Sequence, residues 1–480
     1  MTGTAADDSG LRYQSASGRW VLLAAVLGSG LAMLDGTVVN VALKTIGRDL
    51  DASLAQLQWI SNGYLLSLAS LILVGGSLGD HFGRRRVFVI GVAWFAVASL
   101  ACGIAQTPTQ LILARVLQGV GAALLTPGSL AMIQGSFHPV DRPRAIGAWA
   151  GLGGVAAAIG PFLGGWLVEY ASWRYVFLIN LPLAVATVVI ARAHVPETRD
   201  AQSAPGLDLA GAMLGALGLA GVTFALIEAG SMSPPYVVVS ALVGLASFAG
   251  FLLVESRSHH PMMPLSLFSS RQFSAANAMT LLVYAALGAV LFFLVLQLQT
   301  VAGYGPLQAG AATVPITAVM LLLAARGGQL AARIGPRLPM AVGPLACAAG
   351  IGLLMGVGRD VTYWVDVLPG LTVFGFGLVL LVAPLTSTVL AAAPDRSAGI
   401  ASGVNNAVAR AGSLLAVAAL PAAAGLTGAD YEIRRPSTRA TRRPCGSAWR
   451  CWSPAASSPG CSSATPPGRP WGGATGGRGL

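Results

Sequence analysis

The sequence predicts an all-α integral membrane protein, and three observations carry that prediction. There is too little charge for a water-facing surface, apolar runs reach bilayer-spanning length, and the loops between them alternate between basic and charge-poor. Of the 480 residues, 55% are hydrophobic and only 10% charged, and the mean hydropathy is +0.70. A soluble domain carries about 25% charged residues, so lipid must cover much of this chain. Its 61 glycines suit membrane helices, which pack through small side chains because lipid supplies no hydrophobic drive to pair them.

A helix needs about 20 apolar residues to cross the hydrocarbon. Runs of that length lie near 20–43, 55–79, 87–106, 110–133, 145–168 and 174–192. After a polar stretch come runs near 209–228 and 235–255, and after a second polar stretch runs near 273–299, 309–331, 339–357, 364–392 and 397–420. Thirteen spans are thus visible. The acids Asp208 and Glu228 fall at span ends and are expected to be solvated.

Loop charge orients the spans. Arg84, Arg85 and Arg86 follow the second span, Arg142 and Arg144 the fourth, and Arg192 and Arg199 the sixth; Arg257 and Arg271 follow the eighth, Arg333 and Arg337 the tenth, and Arg396 the twelfth. The alternate loops are poorer, with Lys44, Arg48, Arg174 and Arg359 as exceptions. Cytoplasmic loops collect Lys and Arg. The even loops and the N-terminus, with Arg12 and Arg19, are therefore expected to be cytoplasmic, and the chain to be a multi-pass protein of the cytoplasmic membrane.

The net charge of +11 does not indicate nucleic-acid binding. Residues 433–480 hold eight Arg and no Asp or Glu, which leaves +3 for everything before them, and that remainder lies in short loops where it sets topology. The five Cys form no CxxC pair and no ligand spacing with the five His, so neither a zinc site nor a disulfide framework is expected. No cleavable signal peptide is expected, because the first apolar run carries Asp35 and leads into a second full span. The segment after about Ile433 breaks every trend, with seven Pro and no span. Thirteen spans would also place its Arg on the outer side. It is expected to be either an out-of-frame reading of a GC-rich coding region, with a fourteenth span apparently lost, or a disordered tail.

The loop after the second span reads Gly76-Ser-Leu-Gly-Asp80-His-Phe-Gly83-Arg84-Arg85-Arg86. An acid ending one helix, a glycine at the turn and arginines opening the next helix form a cross-helix charge lock. Asp80 can also favour a helix N-terminus through its dipole. A weaker echo follows the tenth span, Gly328-Gln-Leu-Ala-Ala332-Arg333-Ile-Gly335-Pro336-Arg337, with Ala332 in the acid's place. Matching loops in two halves indicate a parallel internal repeat, a recurrent transporter plan. Gly151-Leu-Gly153-Gly-Val-Ala156 imitates a dinucleotide fingerprint but sits inside an apolar span with no preceding strand, so no nucleotide site is expected.

The first loop resembles the signature loop of the major facilitator superfamily, and further stretches resemble its 14-helix drug:proton antiporters. Leu34-Asp35-Gly36-Thr37-Val38-Val39-Asn40 is similar to that subfamily's first-helix motif, with Lys44 where a proline is usual. Arg115-Val-Leu-Gln118-Gly119 is similar to the fourth-helix motif, Gly160-Pro161-Phe-Leu-Gly164-Gly165 to the antiporter motif, and Trp173-Arg174 through Asn180-Leu-Pro182 to the start of the sixth helix. The resemblance covers about residues 20–425. It implies two six-helix bundles with two inserted helices. The expected organisation is a cytoplasmic segment 1–19, an N-terminal bundle 20–192, a linker with two helices 193–271, an incomplete C-terminal bundle 272–425 and an atypical tail 426–480.

The same resemblance implies proton-coupled export of drug-like small molecules; the alternatives are a dedicated exporter of one endogenous metabolite and a proton-coupled importer. No P-loop, catalytic triad or metal set is seen in the sequence, so an enzyme is not expected and the energy is expected to come from an ion gradient; the resemblance implies the proton as the coupling ion, with no other cofactor. A carboxylate in mid-helix costs about 2.5–3.5 kcal/mol on the insertion scale, and burial disfavours its charged form. Asp35 is therefore the candidate proton site, with Arg115 as the partner that biases it. The other reading makes Asp35 a neutral packing residue bonded to Thr37 or Asn40, and Arg115 a helix-end arginine that snorkels. Gly76, Asp80, Gly83, Arg84 and Arg85 are the candidate conformational lock. Gly160, Pro161, Gly164 and Gly165 are the candidate seam between halves. Asn40, Gln118, Tyr284, Gln297, Asn405 and Arg410 are candidates for a substrate cavity, although ordinary interhelical bonding serves each of them equally well. The expected partners are a lipophilic cation or neutral small molecule and the lipid bilayer, and the expected state is a monomer.

Overall fold

The computed structural model describes residues 10–199, 208–258, 261–394 and 398–424, so the readings of the tail lie outside the described residues. Among the described residues thirteen helices are long and apolar enough to cross a membrane. They are α1 (Ala16–Leu50), α2 (Leu54–Phe82), α3 (Arg84–Ile104), α4 (Pro108–Ser136), α5 (Arg142–Tyr170) and α6 (Tyr175–His194). Next come α7 (Leu209–Glu228), α8 (Pro234–Arg257), α9 (Arg271–Thr300), α10 (Pro306–Ile334), α11 (Arg337–Leu354), α12 (Tyr363–Ala391) and α13 (Ala398–Ala423). Each matches an apolar run of the sequence, but many extend past it. Lys44 and Arg48, which read as loop charges, sit on α1, because a helix continues through the polar boundary once its backbone bonds are made.

The turns are specified locally. Asp51 ends α1 in the left-handed conformation at φ 54°, and Ser53 then opens α2 with a reciprocal cap from Gln56. Thr107 caps α4 ahead of Pro108, which needs no amide partner at the first helical position. The two repeat-related loops share a geometry that L side chains rarely adopt: Gly83 has φ 107° and Gly335 has φ 85°. The echo in the sequence is thus an echo in backbone shape.

Helices α1–α6 pack together, as do α9–α13, while α7 and α8 form a hairpin that touches both α2 and α13. Asp208 and Glu228 are more engaged than solvated loop acids. Asp208 caps α7 by accepting from Gly211 N at 2.7 Å, and Glu228 accepts from Trp59 Nε1 of α2 at 3.0 Å. Large apolar side chains such as Leu322 and Leu345 stand 71% and 70% exposed, as a lipid-covered surface requires.

The two bundles meet unevenly. At the end of the molecule holding the α1–α2 turn, Gln299 Nε2 of α9 donates to Val41 O of α1 at 2.9 Å, and Lys44 Nζ donates back to Gln299 O. Glu169 of α5 accepts from Leu307 N of α10 at 2.9 Å. At the other end α5 stands away from the second bundle: a Cβ added at Gly147, Gly151 or Gly154 would meet nothing within 4 Å. The bundles are sealed at one end and parted at the other along α5.

A candidate proton-coupling site in the first bundle

Asp35 lies in the middle of α1 and is fully buried. Its carboxylate Oδ2 contacts Nη1 of Arg115, which is 1% exposed on α4. The other oxygen, Oδ1, accepts from Gln118 Nε2 at 2.8 Å and from Asn180 Nδ2 of α6 at 3.0 Å. Both amides also donate to Ser99 Oγ of α3, at 2.6 and 3.1 Å. Arg115 is fixed in turn: Nε donates to Ile60 O at 3.0 Å, and its guanidinium lies 4.3 Å from the Tyr64 ring centre. The Tyr64 hydroxyl donates to Ala32 O of α1 at 3.2 Å. One carboxylate thereby ties together α1, α2, α3, α4 and α6.

Such a pair is stable in a low-dielectric interior only when its remaining lone pairs and protons are satisfied, and here the neighbouring amides do that. Thr37 bonds back to Met33 O and Leu34 O on its own helix, so the expected alternative of Asp35 pairing with Thr37 is not the observed one. Arg115 points inward to Asp35 instead of snorkelling to a helix end. Gln118 belongs to this closed network and is not on an open face, while Asn40 is half-buried further along α1. The sixth-helix motif that contains Asn180 assigns it no role by itself, and Ser99 and Tyr64 carry no signal in the sequence. Asn180 was the findable one: a side-chain amide inside an apolar span calls for a partner.

The candidate lock forms within the first bundle. Arg84 Nε and Nη2 each lie 2.9 Å from Asp80 Oδ1 across the turn at Gly83. Arg84 Nη1 also donates to Ala131 O of α4 at 3.3 Å. Glu197, which sequence reasoning missed, caps the start of α3 by accepting from Arg85 N at 3.0 Å and Arg86 N at 3.2 Å. Its carboxylate occupies the place where a Cβ at Gly83 would stand. Gly76 faces Pro127 of α4.

The candidate seam on α5 is shared between halves. Gly160 and Gly164 lie against Thr37 and Val38 of α1, whereas Gly165 lies against Leu307 of α10. A Cβ at Gly310 of α10 would come 2.1 Å from Pro161 O. The cavity candidates of the second bundle are divided. Gln297 Nε2 donates to Val357 O at 2.6 Å and is buried, Tyr284 O accepts from Ser413 Oγ at 2.8 Å, and Asn405 donates to Thr280 Oγ1 at 2.8 Å. Of these four candidates Arg410 alone makes no hydrogen bond or ion pair among the described residues, and its Nε is buried without a partner there.

The sequence profile described as Major Facilitator Superfamily matches residues 25–417. The chain belongs to the major facilitator superfamily. It is 35% identical over 431 residues to a tetracenomycin C resistance and export protein of Streptomyces glaucescens, covering 87% of this chain and 79% of that one. It is 37% identical over 414 residues to a puromycin resistance protein of Streptomyces alboniger, covering 84% of this chain and 81% of that one. Among solved structures, a peptide transporter bound to sulfate aligns with TM-score 0.64 at 15% identity over 86% of this chain and 90% of that one. A bacterial homologue of the lysosomal transporter Spinster, inward-facing and unoccupied, aligns with TM-score 0.61 at 18% identity over 86% of this chain and 83% of that one. At such identities the structures share the fold. This major facilitator protein is a multi-pass membrane transporter whose class is transport and not catalysis, and its relatives in sequence are antibiotic-resistance and export proteins.

Proposed function

We propose that this transporter exports drug-like or antibiotic small molecules across the cytoplasmic membrane in exchange for protons, by alternating access, with its N-terminus in the cytoplasm. The export half rests on relatives that carry resistance to tetracenomycin C and puromycin. The orientation rests on the arginines of the even loops. With that orientation the sealed end faces outward and the parted end faces the cytoplasm, where a substrate for export would enter.

The proton half rests on one observation, the Asp35–Arg115 pair closed off by Gln118 and Asn180. A proton on Asp35 converts a neutral pair into an uncompensated Arg115 cation beside Tyr64. Breaking a buried pair in this way costs about 3–5 kcal/mol, which biases the first bundle toward any arrangement that rehydrates Arg115. Proton binding and bundle geometry are then linked through one side chain. One charge crossing 150 mV supplies about 3.5 kcal/mol, sufficient for roughly a 300-fold gradient of a neutral solute.

The test is drug-dependent proton release from inverted vesicles. Asp35→Asn should abolish it while the protein still inserts. The double variant Asp35→Asn/Arg115→Gln, which leaves no unpaired buried charge, should insert and also fail to couple. Proton release at the wild-type rate from either variant would remove Asp35 from the coupling role.

A further inference from the structure

Charged side chains deep within the helices are few. Among the described residues only Asp35, Arg115, Arg326 and Arg410 lie seven or more residues from both ends of their spans. Asp35 and Arg115 neutralise one another and are buried. The two that remain are both cations: Arg326 is exposed and Arg410 half-buried. No carboxylate deep in the helices is accessible to balance them. Ionisable groups at membrane depth are costly and mark functional sites.

Arg410 has a defined place. Gly403 of α13 packs against Leu73 of α2, and Val417 O of α13 accepts from Gln58 Nε2 of α2 at 2.6 Å. Positions 403, 410 and 417 are seven apart and share one helix face, so Arg410 faces α2 midway along the seam between bundles. The same two contacts fix an antiparallel register that sets Arg410 beside Leu65 and Leu66, about one turn from Asn62. Asn62 is 0% exposed, and both atoms of its amide lack a hydrogen-bond partner. A guanidinium and an amide that are both unpaired among the described residues thus occupy one seam, at the depth where the substrate of such a fold resides.

We propose that this seam is a substrate subsite for a lipophilic molecule bearing an acidic oxygen, a carboxylate or phenolate, which Arg410 holds with the Asn62 amide, and that it disfavours lipophilic cations. Rejection of cations follows from unbalanced positive charge in a low dielectric, where discrimination is built by repulsion as much as by attraction. The proposal rests on the export reading above and narrows its substrate class.

Two dyes with a common xanthene scaffold provide the test: anionic fluorescein and cationic rhodamine 6G, with neutral Nile red as a separate probe of export. In energised inverted vesicles carrying the full chain, fluorescein should accumulate at least tenfold more than rhodamine 6G. Arg410→Gln should lower fluorescein uptake at least tenfold, Arg410→Lys should retain part of it, and Arg410→Glu should favour rhodamine 6G. Rhodamine 6G transport equal to that of fluorescein by the wild type, or wild-type fluorescein uptake by a folded Arg410→Gln, overturns the subsite. Nile red transport without fluorescein transport overturns the subsite while leaving export standing. Transport of none of the three dyes removes the export reading and the subsite with it.

Discussion

Substituting Gly310 by Ala should open the sealed end of the transporter. The added methyl would stand 2.1 Å from Pro161 O, a backbone atom that cannot rotate aside. Gly165, facing Leu307 across the same junction, leaves no slack either, since a Cβ there would come within 2.6 Å of the Leu307 Cα. Overpacking of this kind costs about 1–3 kcal/mol. The helix-propensity gain of Ala over Gly is present in both conformations and cancels between them. The state with this end closed should therefore lose roughly 5- to 150-fold in population against the state with it open, since 1.4 kcal/mol is a factor of ten.

The assay is labelling of an introduced Thr45→Cys, which lines a cavity of about 310 Å³ at the sealed end with Lys44, Arg48 and Glu169, by a membrane-impermeant maleimide on intact cells. Cys445, Cys451 and Cys461 are replaced by Ser, while the buried Cys102 and Cys347 remain. Labelling should accelerate in Gly310→Ala and stay unchanged in Gly352→Ala, where a new Cβ meets nothing within 4 Å. An unaltered rate in Gly310→Ala, with the protein inserted, would refute the steric argument and with it the place of the α5–α10 junction in sealing that end.

Further outcomes follow from the same geometry. Arg115→Gln alone should destabilise the detergent-solubilised protein by about 3–5 kcal/mol, and adding Asp35→Asn should recover most of that loss in a thermal melt; additive losses would mean the pair is not coupled. Asp80→Ala removes the partner of Arg84 and should slow turnover more than it weakens drug binding, which parallel transport and equilibrium-binding measurements separate; collapse of affinity at unchanged turnover would contradict a lock. Lys44→Met loses the bond to Gln299 O and should raise Thr45→Cys labelling to an extent comparable with Gly310→Ala, as expected from one hydrogen bond of about 1.5–3 kcal/mol to a charged donor; an unchanged labelling rate would mean that this bond does not hold the end closed. Glu197→Gln keeps the shape of the α3 cap but not its charge, and should lower stability by about 0.3–1 kcal/mol, read from the melting temperature at low salt.

The sequence alone determined the thirteen spans, the repeat and the identity of Asp35 and Arg115 as a pair worth testing. The physical reason is that a bilayer imposes length and hydropathy on every crossing helix, so spans are written locally, and a deep carboxylate stands out against an apolar background. Local chemistry likewise announced the Asp80–Gly83–Arg84 turn. Tertiary structure decided what depends on facing. It placed Gln118 inside the Asp35 network, brought in Asn180 and Ser99 from other helices, and seated Glu197 over the start of α3. It joined Lys44 to Gln299 across the seam and left Arg410 there without a partner among the described residues. Each of these depends on the rotation and register of helices far apart in the chain. In a membrane those are set by small-residue contacts such as Gly310 against Pro161, and an apolar run does not encode which of its faces will meet a neighbour.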